Sequence, residues 1–505
     1  MVIQPAPAAL EWGQARARWV LTATVLGAAL TFIDATVVNI ALPHLAVDLD
    51  AGSEALTWVV NGYTLTLAAL VLIGGALGDR FGRRRVYVVG ITGFALASAA
   101  CGLAPDVGTL IAARAVQGVA AALLTPGSLA ILQASFTPKD RPRAIGAWSG
   151  LTGVAGAIGP FFGGWIIEVA DWRWAFLVNL PIAAVVVLIT RRHVPESRPP
   201  ATGGKLDWTG AGLLALCLAL LTFALTASSS ASFLSLAVGG CLLASLVVGA
   251  VFVVFEHRSP APLVPVRLFA SRVFVFANVM TLLVYAALGV VFFSVGIVLQ
   301  VGAGRSPIQA GLSLLPVTVV MLLFSSRAGA LMDKAGARLP MTLGPLVAAV
   351  GVALLTRIGA DVNYVLDVLV PTTVFGAGLT LMVTPLTATV LAAVPDDVVG
   401  LASGVNNAVA RTGGLLAVAS VPLVGGLGGK GLTDPVQVLD GFQTLMWCCV
   451  VLLVAGATLA LVGVPSKREH DLSDPAARPP ERHCSPAGPP VAAGSEALSG
   501  SGTPP

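Results

Sequence analysis

Asp, Glu, Lys and Arg together supply only 11% of this 505-residue chain, whereas hydrophobic residues supply 56%. A soluble domain covers its surface with about 25% charged residues. With less than half of that, a water-exposed globule of this length is excluded. The apolar residues are also continuous. Broken only at charge clusters and Gly/Pro loops, they form runs near the ~20 residues that a membrane-crossing helix requires. Fourteen such runs lie between residues 19 and 464, so the expected fold is an all-α integral membrane protein with fourteen spans.

The cations provide an orientation. With the N-terminus placed inside and the spans alternating, 23 of the 29 Lys and Arg fall in inside segments. Four fall outside (Arg173, Arg305, Arg357 and Lys430), and two, Arg114 and Arg411, fall within spans. This asymmetry marks cytoplasmic loops, and a missed span would scramble it. The expected protein is a multi-pass resident of the cell inner (plasma) membrane with both termini cytoplasmic. Residues 1–18 form the cytoplasmic N-terminus. Residues 465–505, rich in Pro, Gly and Ser, cannot bury a core and are expected to be a disordered cytoplasmic tail.

Catalytic and cofactor chemistry find no support in the sequence. The six cysteines carry no C-x-x-C spacing, and all five histidines lie outside the spans. No Walker A, H-E-x-x-H or G-x-S-x-G pattern occurs. Gly426-x-Gly428-x-x-Gly431 fits a dinucleotide pattern by chance, since it follows a membrane helix rather than a strand. No enzyme, metal, cofactor or nucleic-acid partner is expected. The expected partners are the lipid bilayer, protons and a small amphipathic solute, with a monomer as the expected state.

An internal repeat divides the chain. Gly75-Ala76-Leu77-Gly78-Asp79-Arg80-Phe81-Gly82-Arg83-Arg84 matches Gly329-Ala330-Leu331-Met332-Asp333-Lys334-Ala335-Gly336-Ala337-Arg338 at an offset of 254. At the same offset Ile145–Gly150 matches Val399–Gly404. The expected organisation is two parallel six-helix bundles, 19–190 and 274–464, with two inserted spans at 207–255. Pseudo-equivalent halves around a midplane cavity are the architecture of a rocking transporter. The only polar side chains inside the inserted pair are hydroxyls and Cys, which predicts lipid-facing packing.

Several ordered motifs resemble the major facilitator superfamily, and within it the fourteen-span drug:proton antiporter branch. The first span reads Asp34-Ala-Thr36-Val-Val-Asn39-Ile-Ala41-Leu42-Pro43, and residues 75–84 resemble the loop motif G-x-x-x-D-R-x-G-R-R. Arg114-x-x-Gln117-Gly118 is similar to the motif the family associates with proton handling. Gly159-Pro160-x-x-Gly163-Gly164 is similar to its antiporter motif, with Ala155 where Gly is usual, and Trp172-Arg173-Trp174-x-Phe176-x-x-Asn179-x-Pro181 is also typical of the branch. The resemblance implies export of drugs or antibiotics driven by the proton gradient. It further implies a gating role for Gly75, Asp79, Arg80, Gly82, Arg83, Asp333 and Arg338, and a hinge at Gly159, Pro160, Gly163 and Gly164. Plain positive-inside anchoring is the other reading of the loop.

The residues themselves point the same way. Asp34 is the one acid well inside a span, and an intramembrane carboxyl is functional by default. Burial in hydrocarbon favours the proton-bearing form of a carboxyl. At ~1.5 Å per residue, Asp34 and Arg114 lie roughly 13 Å and 9 Å from the outer ends of their spans. Proton coupling through that pair and a static buried ion pair both remain open. Arg114, Gln117, Gly118, Ala121 and Thr125 share one helical sector, as do Gly400, Ser403, Gly404, Asn407, Arg411 and Gly414 in the thirteenth span. Such stripes line either a cavity or a close helix contact. The expected substrate cavity is walled by Asn39, Gln117, Thr125, Asn407 and Arg411. The alternative functions are a dedicated transporter of one polar or anionic solute, and a non-transporting or lipid-handling membrane protein.

Overall fold

The computed structural model describes residues 10–465, apart from 138, 199–206, 229–230, 232–234, 260–261, 265, 395–397 and 428–430. The expected tail therefore lies outside the described residues, as do residues 1–9 of the N-terminal segment. Among the described residues the chain is helical throughout, its one β-bridge joining Leu10 to Phe136.

Fourteen long helices follow one another. They are α1 (Ala15–Asp48), α2 (Ser53–Phe81), α3 (Arg83–Gly102), α4 (Val107–Ser135) and α5 (Arg141–Val169). Next come α6 (Trp174–His193), α7 (Trp208–Ala227), α8 (Leu236–Arg258) and α9 (Arg272–Gly302). The series ends with α10 (Leu315–Ala335), α11 (Arg338–Leu355), α12 (Tyr364–Ala392), α13 (Val399–Val424) and α14 (Pro435–Gly463). A single turn, Pro307–Leu312, leads into α10. Among the described residues, thirteen spans are long and apolar enough to cross a membrane. The remaining helix, α5, runs 29 residues and contains the apolar stretch Ile158–Val169. The fold is consistent with fourteen spans.

Prolines lie inside several of these helices, and they mark where the sequence-derived boundaries fall short. Read from its apolar run, the first span covers residues 19–43 and ends at Pro43, yet α1 continues to Asp48. A proline is tolerated inside a membrane helix because neighbouring helices re-satisfy the freed backbone groups.

In the first half α4 packs along α2 and α3, and α1 along α5 and α6; in the second, α11 packs along α12 and α14, and α9 along α13 and α14. Small residues permit these approaches. A Cβ on Gly74 would sit 1.9 Å from the Ala122 carbonyl oxygen, and one on Gly378 would sit 2.3 Å from the Ala348 nitrogen. Without a hydrophobic drive between helices in lipid, such close contact supplies the association.

The repeated loop has the same backbone in both copies. Gly82 breaks the chain between α2 and α3 at φ +105°, and Gly336 breaks it between α10 and α11 at φ +78°. Both are left-handed conformations that glycine adopts without steric cost.

The inserted helices do not behave alike. Of α8, only Val238, Ser245 and Glu256 are buried, and its main neighbour is α7. That agrees with lipid-facing packing. In contrast, α7 lies against both α2 and α13, and Thr226 Oγ1 donates to the Ala419 carbonyl at 3.5 Å. The sequence argument missed this because threonines that pack on a neighbouring helix look, in sequence, like threonines facing lipid.

Candidate functional site

The site begins with a glycine. A Cβ on Gly118 of α4 would lie 2.3 Å from the Tyr63 carbonyl oxygen and 2.1 Å from Thr66 Oγ1. Its absence lets α4 press on α2 and places Gln117, the residue before it, and Arg114, one turn earlier, in the first-half interior. There Arg114 Nη1 meets Asp34 Oδ2 of α1 at 2.5 Å, with the arginine 1% and the aspartate 1% exposed.

The pair is held on every side. Arg114 Nε donates to the Val59 carbonyl at 3.1 Å, and Nη1 also donates to Gln117 Oε1. The other carboxylate oxygen, Asp34 Oδ1, accepts from Gln117 Nε2 at 2.8 Å and from Asn179 Nδ2 at 3.1 Å. Both amides donate in addition to Ser98 Oγ of α3, at 2.8 and 3.3 Å. The guanidinium lies over the Tyr63 ring, 4.4 Å from its centroid, with Phe176 at 5.8 Å. Five helices, α1, α2, α3, α4 and α6, thus contribute to one ion pair with its partners.

Every contact made by Asp34 is one in which a donor points at a carboxylate. A buried charge pair withstands desolvation only when such hydrogen bonds satisfy its remaining lone pairs. Adding a proton to Asp34 removes the counter-charge of Arg114 and turns an acceptor into a donor facing other donors. Protonation and this arrangement are therefore in competition.

The remaining residues expected in the cavity fall at different places. Gln117 is fully buried inside the ion-pair cluster rather than at an accessible wall. Asn39 and Thr125 are half-buried, with Asn39 Oδ1 and Thr125 Oγ1 shielded and without hydrogen-bond partners. Asn407 is exposed, and Arg411 is half-buried with its Nε shielded and unbonded. No carboxylate pairs with Arg411 among the described residues. On the same helix, Gly414 has a packing role, with its Cα 2.9 Å from the position of a Cβ on Gly289 of α9.

The 75–84 loop is clasped within its own half. Asp79 pairs with Arg83 at 2.8 Å, and Arg83 Nη1 reaches the Ala130 carbonyl at 3.1 Å. The segment after α6 closes over it. Arg84 N donates to Glu196 Oε1 at 3.0 Å, Arg83 N to the Ser197 carbonyl at 3.1 Å, and both Arg84 and Arg85 approach Glu196 at 3.8 Å. Arg80 lies over the Phe81 ring at 5.7 Å, and a Cβ on Gly75 would find Pro126 at 3.6 Å. Of the second copy, Arg338 opens α11, and the Asp333 side chain lies outside the described residues.

These contacts separate two substitutions. Gly82→Val is expected to destabilise the protein by about 1–3 kcal/mol, the cost of a side chain in a left-handed conformation, and its Cβ would sit 2.7 Å from Glu196 Oε1. Glu196→Gln weakens two long ion pairs, each 3.8 Å, of a half-buried carboxylate while keeping an oxygen for the Arg84 N–H, and is expected to cost less than about 1 kcal/mol. Thermal unfolding of the purified variants checks the order.

The Gly159–Gly164 stretch works on two faces. A Cβ on Gly159 would lie 2.4 Å from Thr36 Oγ1, and one on Gly163 3.0 Å from the Val37 Cα, so these two fit α5 to α1. Gly164 fits the other half, with the Pro307 carbonyl oxygen 2.3 Å from its Cβ position; Gly311 returns the contact, 2.2 Å from the Pro160 carbonyl oxygen. Nearby, Gln300 Nε2 of α9 donates to the Ile40 carbonyl at 3.1 Å. These junctions close the end opposite the Arg83–Arg85 loop. At that same end Asp48 accepts from Trp172 Nε1 at 2.9 Å and from Arg173 at 2.8 Å, which gives the Trp172-Arg173 motif a structural purpose.

Sequence reasoning missed Ser98, Tyr63 and Glu196 as partners, and quoted Asn179 only within a motif. Asn61, two residues before Tyr63, is also buried with neither amide atom bonded. A buried unpaired amide is costly, but the sequence carries no sign of where such a residue points.

Comparison with known proteins gives the family. The family model described as Major Facilitator Superfamily matches residues 24–418. The puromycin resistance protein pur8 of Streptomyces alboniger is 34% identical over 475 residues, 92% of this chain and 94% of its own length. The drug efflux pump JefA of Mycobacterium tuberculosis is 35% identical over 414 residues, 80% of this chain and 79% of its own. Among solved structures, a POT family transporter in complex with 5-aminolevulinic acid superposes with a TM-score of 0.67 at 13% identity, covering 89% of this chain and 97% of that one. The D-xylose-proton symporter does so with 0.63 at 17% identity, covering 89% and 98%. This multi-pass membrane protein is a transporter, not an enzyme, and belongs to the Major Facilitator Superfamily.

Proposed function

We propose that the protein exports small amphipathic drugs or antibiotics in exchange for protons, by alternating access in the plasma membrane, with both termini in the cytoplasm. The observation that carries this reading is the Asp34–Arg114 pair, sealed among α1, α2, α3, α4 and α6. An intramembrane acid tied to a cation, and to donors that protonation disrupts, is the form a proton relay takes. The similarity to pur8, a puromycin resistance protein, and to JefA, a drug efflux pump, supports the direction and the substrate class.

In this reading Asp34 and Arg114 exchange the proton, and Asn39, Thr125, Asn407 and Arg411 face the solute. The 75–84 loop and its second copy gate the cytoplasmic side, and the Gly159–Gly164 stretch seals the other. Distortion of the Asp34 network couples protonation to the exchange of states. A monomer suffices, because both halves of the site lie in one chain.

Arg411, with no carboxylate partner among the described residues, favours a second reading in which one acidic solute is the dedicated substrate. Uptake of the cationic dye ethidium into inverted vesicles separates the two. Acidification of the lumen is expected to drive uptake and an uncoupler to abolish it. Uptake of an acidic dye with none of the cation favours the second reading, and uncoupler-insensitive uptake rejects proton exchange.

A further inference from the structure

Asp207 and Glu256 meet where the two inserted helices end on the same side. Asp207 precedes α7, and its Oδ1 caps that helix by accepting from Gly210 N at 2.7 Å. Glu256 stands in the last turn of α8 and is 4% exposed. Its Oε2 accepts from Val264 N at 2.9 Å and so pins the segment that follows the helix. Each carboxyl group has one oxygen left, Asp207 Oδ2 and Glu256 Oε1, and both are shielded and without a hydrogen-bond partner. These two oxygens face one small space. A Cβ on Gly210 would sit 2.5 Å from Glu256 Oε1 and 2.7 Å from Asp207 Oδ2, and the two groups stand within hydrogen-bonding range of each other.

Among the described residues no cation enters that space. His257 and Arg258 follow Glu256 on α8 but are exposed, as are Arg267 and Arg272 beyond it. The other neighbours of α7 are α2 and α13. At the corresponding end of α2, Asp79 is engaged with Arg83 and Arg80 with the Phe81 ring, and α13 carries no charged residue before Arg411. Two carboxylates side by side repel, and each shielded, unbonded oxygen adds a desolvation cost. A proton removes both penalties, because it makes one group a donor and the other its acceptor.

We infer that Asp207 and Glu256 form a proton-binding site separate from Asp34, in which one proton from solvent is shared between Glu256 Oε1 and Asp207 Oδ2 and ties the start of α7 to the end of α8. The bond that forms is an O–H on one carboxylate, which donates a charge-assisted hydrogen bond to the other. Such a pair binds and releases its protons as a unit. When the shared proton leaves, the two helix ends lose a tie and gain a repulsion. Because α7 lies against α2 of the first half and α13 of the second, the clasp acts on a helix that touches both. The site does not depend on proton exchange at Asp34.

Infrared spectra of the purified full chain, in light and heavy water near neutral pH, detect the C=O stretch of a protonated carboxyl group. The wild-type protein is expected to show this band, shifted by heavy water, and Asp34→Asn to keep it. Asp207→Asn and Glu256→Gln are each expected to lose it, since an amide at either position supplies the donor that the proton supplied. Thermal unfolding gives a second readout. The folded pair holds a proton that the unfolded chain releases, so wild-type stability falls as pH rises, until the folded pair is empty too. Both variants are expected to lose that part of the pH dependence. A band that survives both substitutions overturns the inference, as does an Asp34→Asn protein with no band, or a pH dependence unchanged in both variants. Calcium that raises the unfolding temperature of the wild type and of neither variant would put a metal cation in place of the proton and overturn it as well. Uncoupler-insensitive transport would reject exchange at Asp34 and leave this site standing.

Discussion

Arg114→Leu is expected to abolish export and to destabilise the protein by about 3–5 kcal/mol, the cost of leaving a buried charge unpaired. Asp34→Leu is expected to do the same from the other side, stranding the guanidinium among Gln117, Tyr63 and Phe176. The double variant Asp34→Asn with Arg114→Gln removes both charges and keeps groups able to bond with Gln117 and Asn179. Its stability should recover most of the loss while its transport does not. Thermal unfolding in detergent reads the first quantity and ethidium efflux the second. If the double variant recovers both, the pair is a packing device. A static ion pair predicts that outcome, whereas a proton carrier predicts recovery of the fold alone.

The second large effect is expected at the junction between the halves. Gly311→Val sets a side chain where the Pro160 carbonyl oxygen lies 2.2 Å and the Phe161 Cα 3.2 Å from the Cβ position. These are backbone atoms, which cannot swing aside as the end of a flexible side chain would. Overpacking of this kind costs about 1–3 kcal/mol, here charged only to the state in which the junction is closed. The closed state should fall roughly five- to hundredfold in population, with export falling alongside. Gln300→Cys, at the neighbouring α1–α9 contact, reports the opening. It should react faster with a membrane-impermeant maleimide when Gly311→Val is present. Unchanged reactivity would mean that this junction is not part of the gate.

Much of this was legible before any coordinates. The depths of Asp34 and Arg114, counted along their spans, placed them level with each other, and they do pair. The loop repeat placed two glycines 254 residues apart, and both adopt a left-handed backbone. The charge distribution required many spans, because apolar runs without loop cations have no other way to meet water.

What stayed hidden has a common cause. Periodicity shows which residues share a helix face but not what that face meets. Gln117 shares its sector with Thr125, yet one is sealed against Asp34 and the other is half-buried with its hydroxyl unbonded. Ser98, Asn179 and Tyr63 are neutral, so nothing in composition separates them from polar residues that serve only packing. Glu196 lies beyond the end of its span, where an acid ordinarily faces water, and its partnership with Arg84 and Arg85 depends on a chain reversal that spacing does not encode. The division of labour between α7 and α8 is invisible for the same reason, since both read as uniform apolar helices.

In the proposed exchange, Asp34 gives up a proton when substrate binds. Purified protein in weakly buffered detergent, titrated with ethidium beside a pH indicator, measures this directly. The account predicts that the wild-type protein releases protons on binding, while Asp34→Asn releases none. Equal release from both proteins would contradict it.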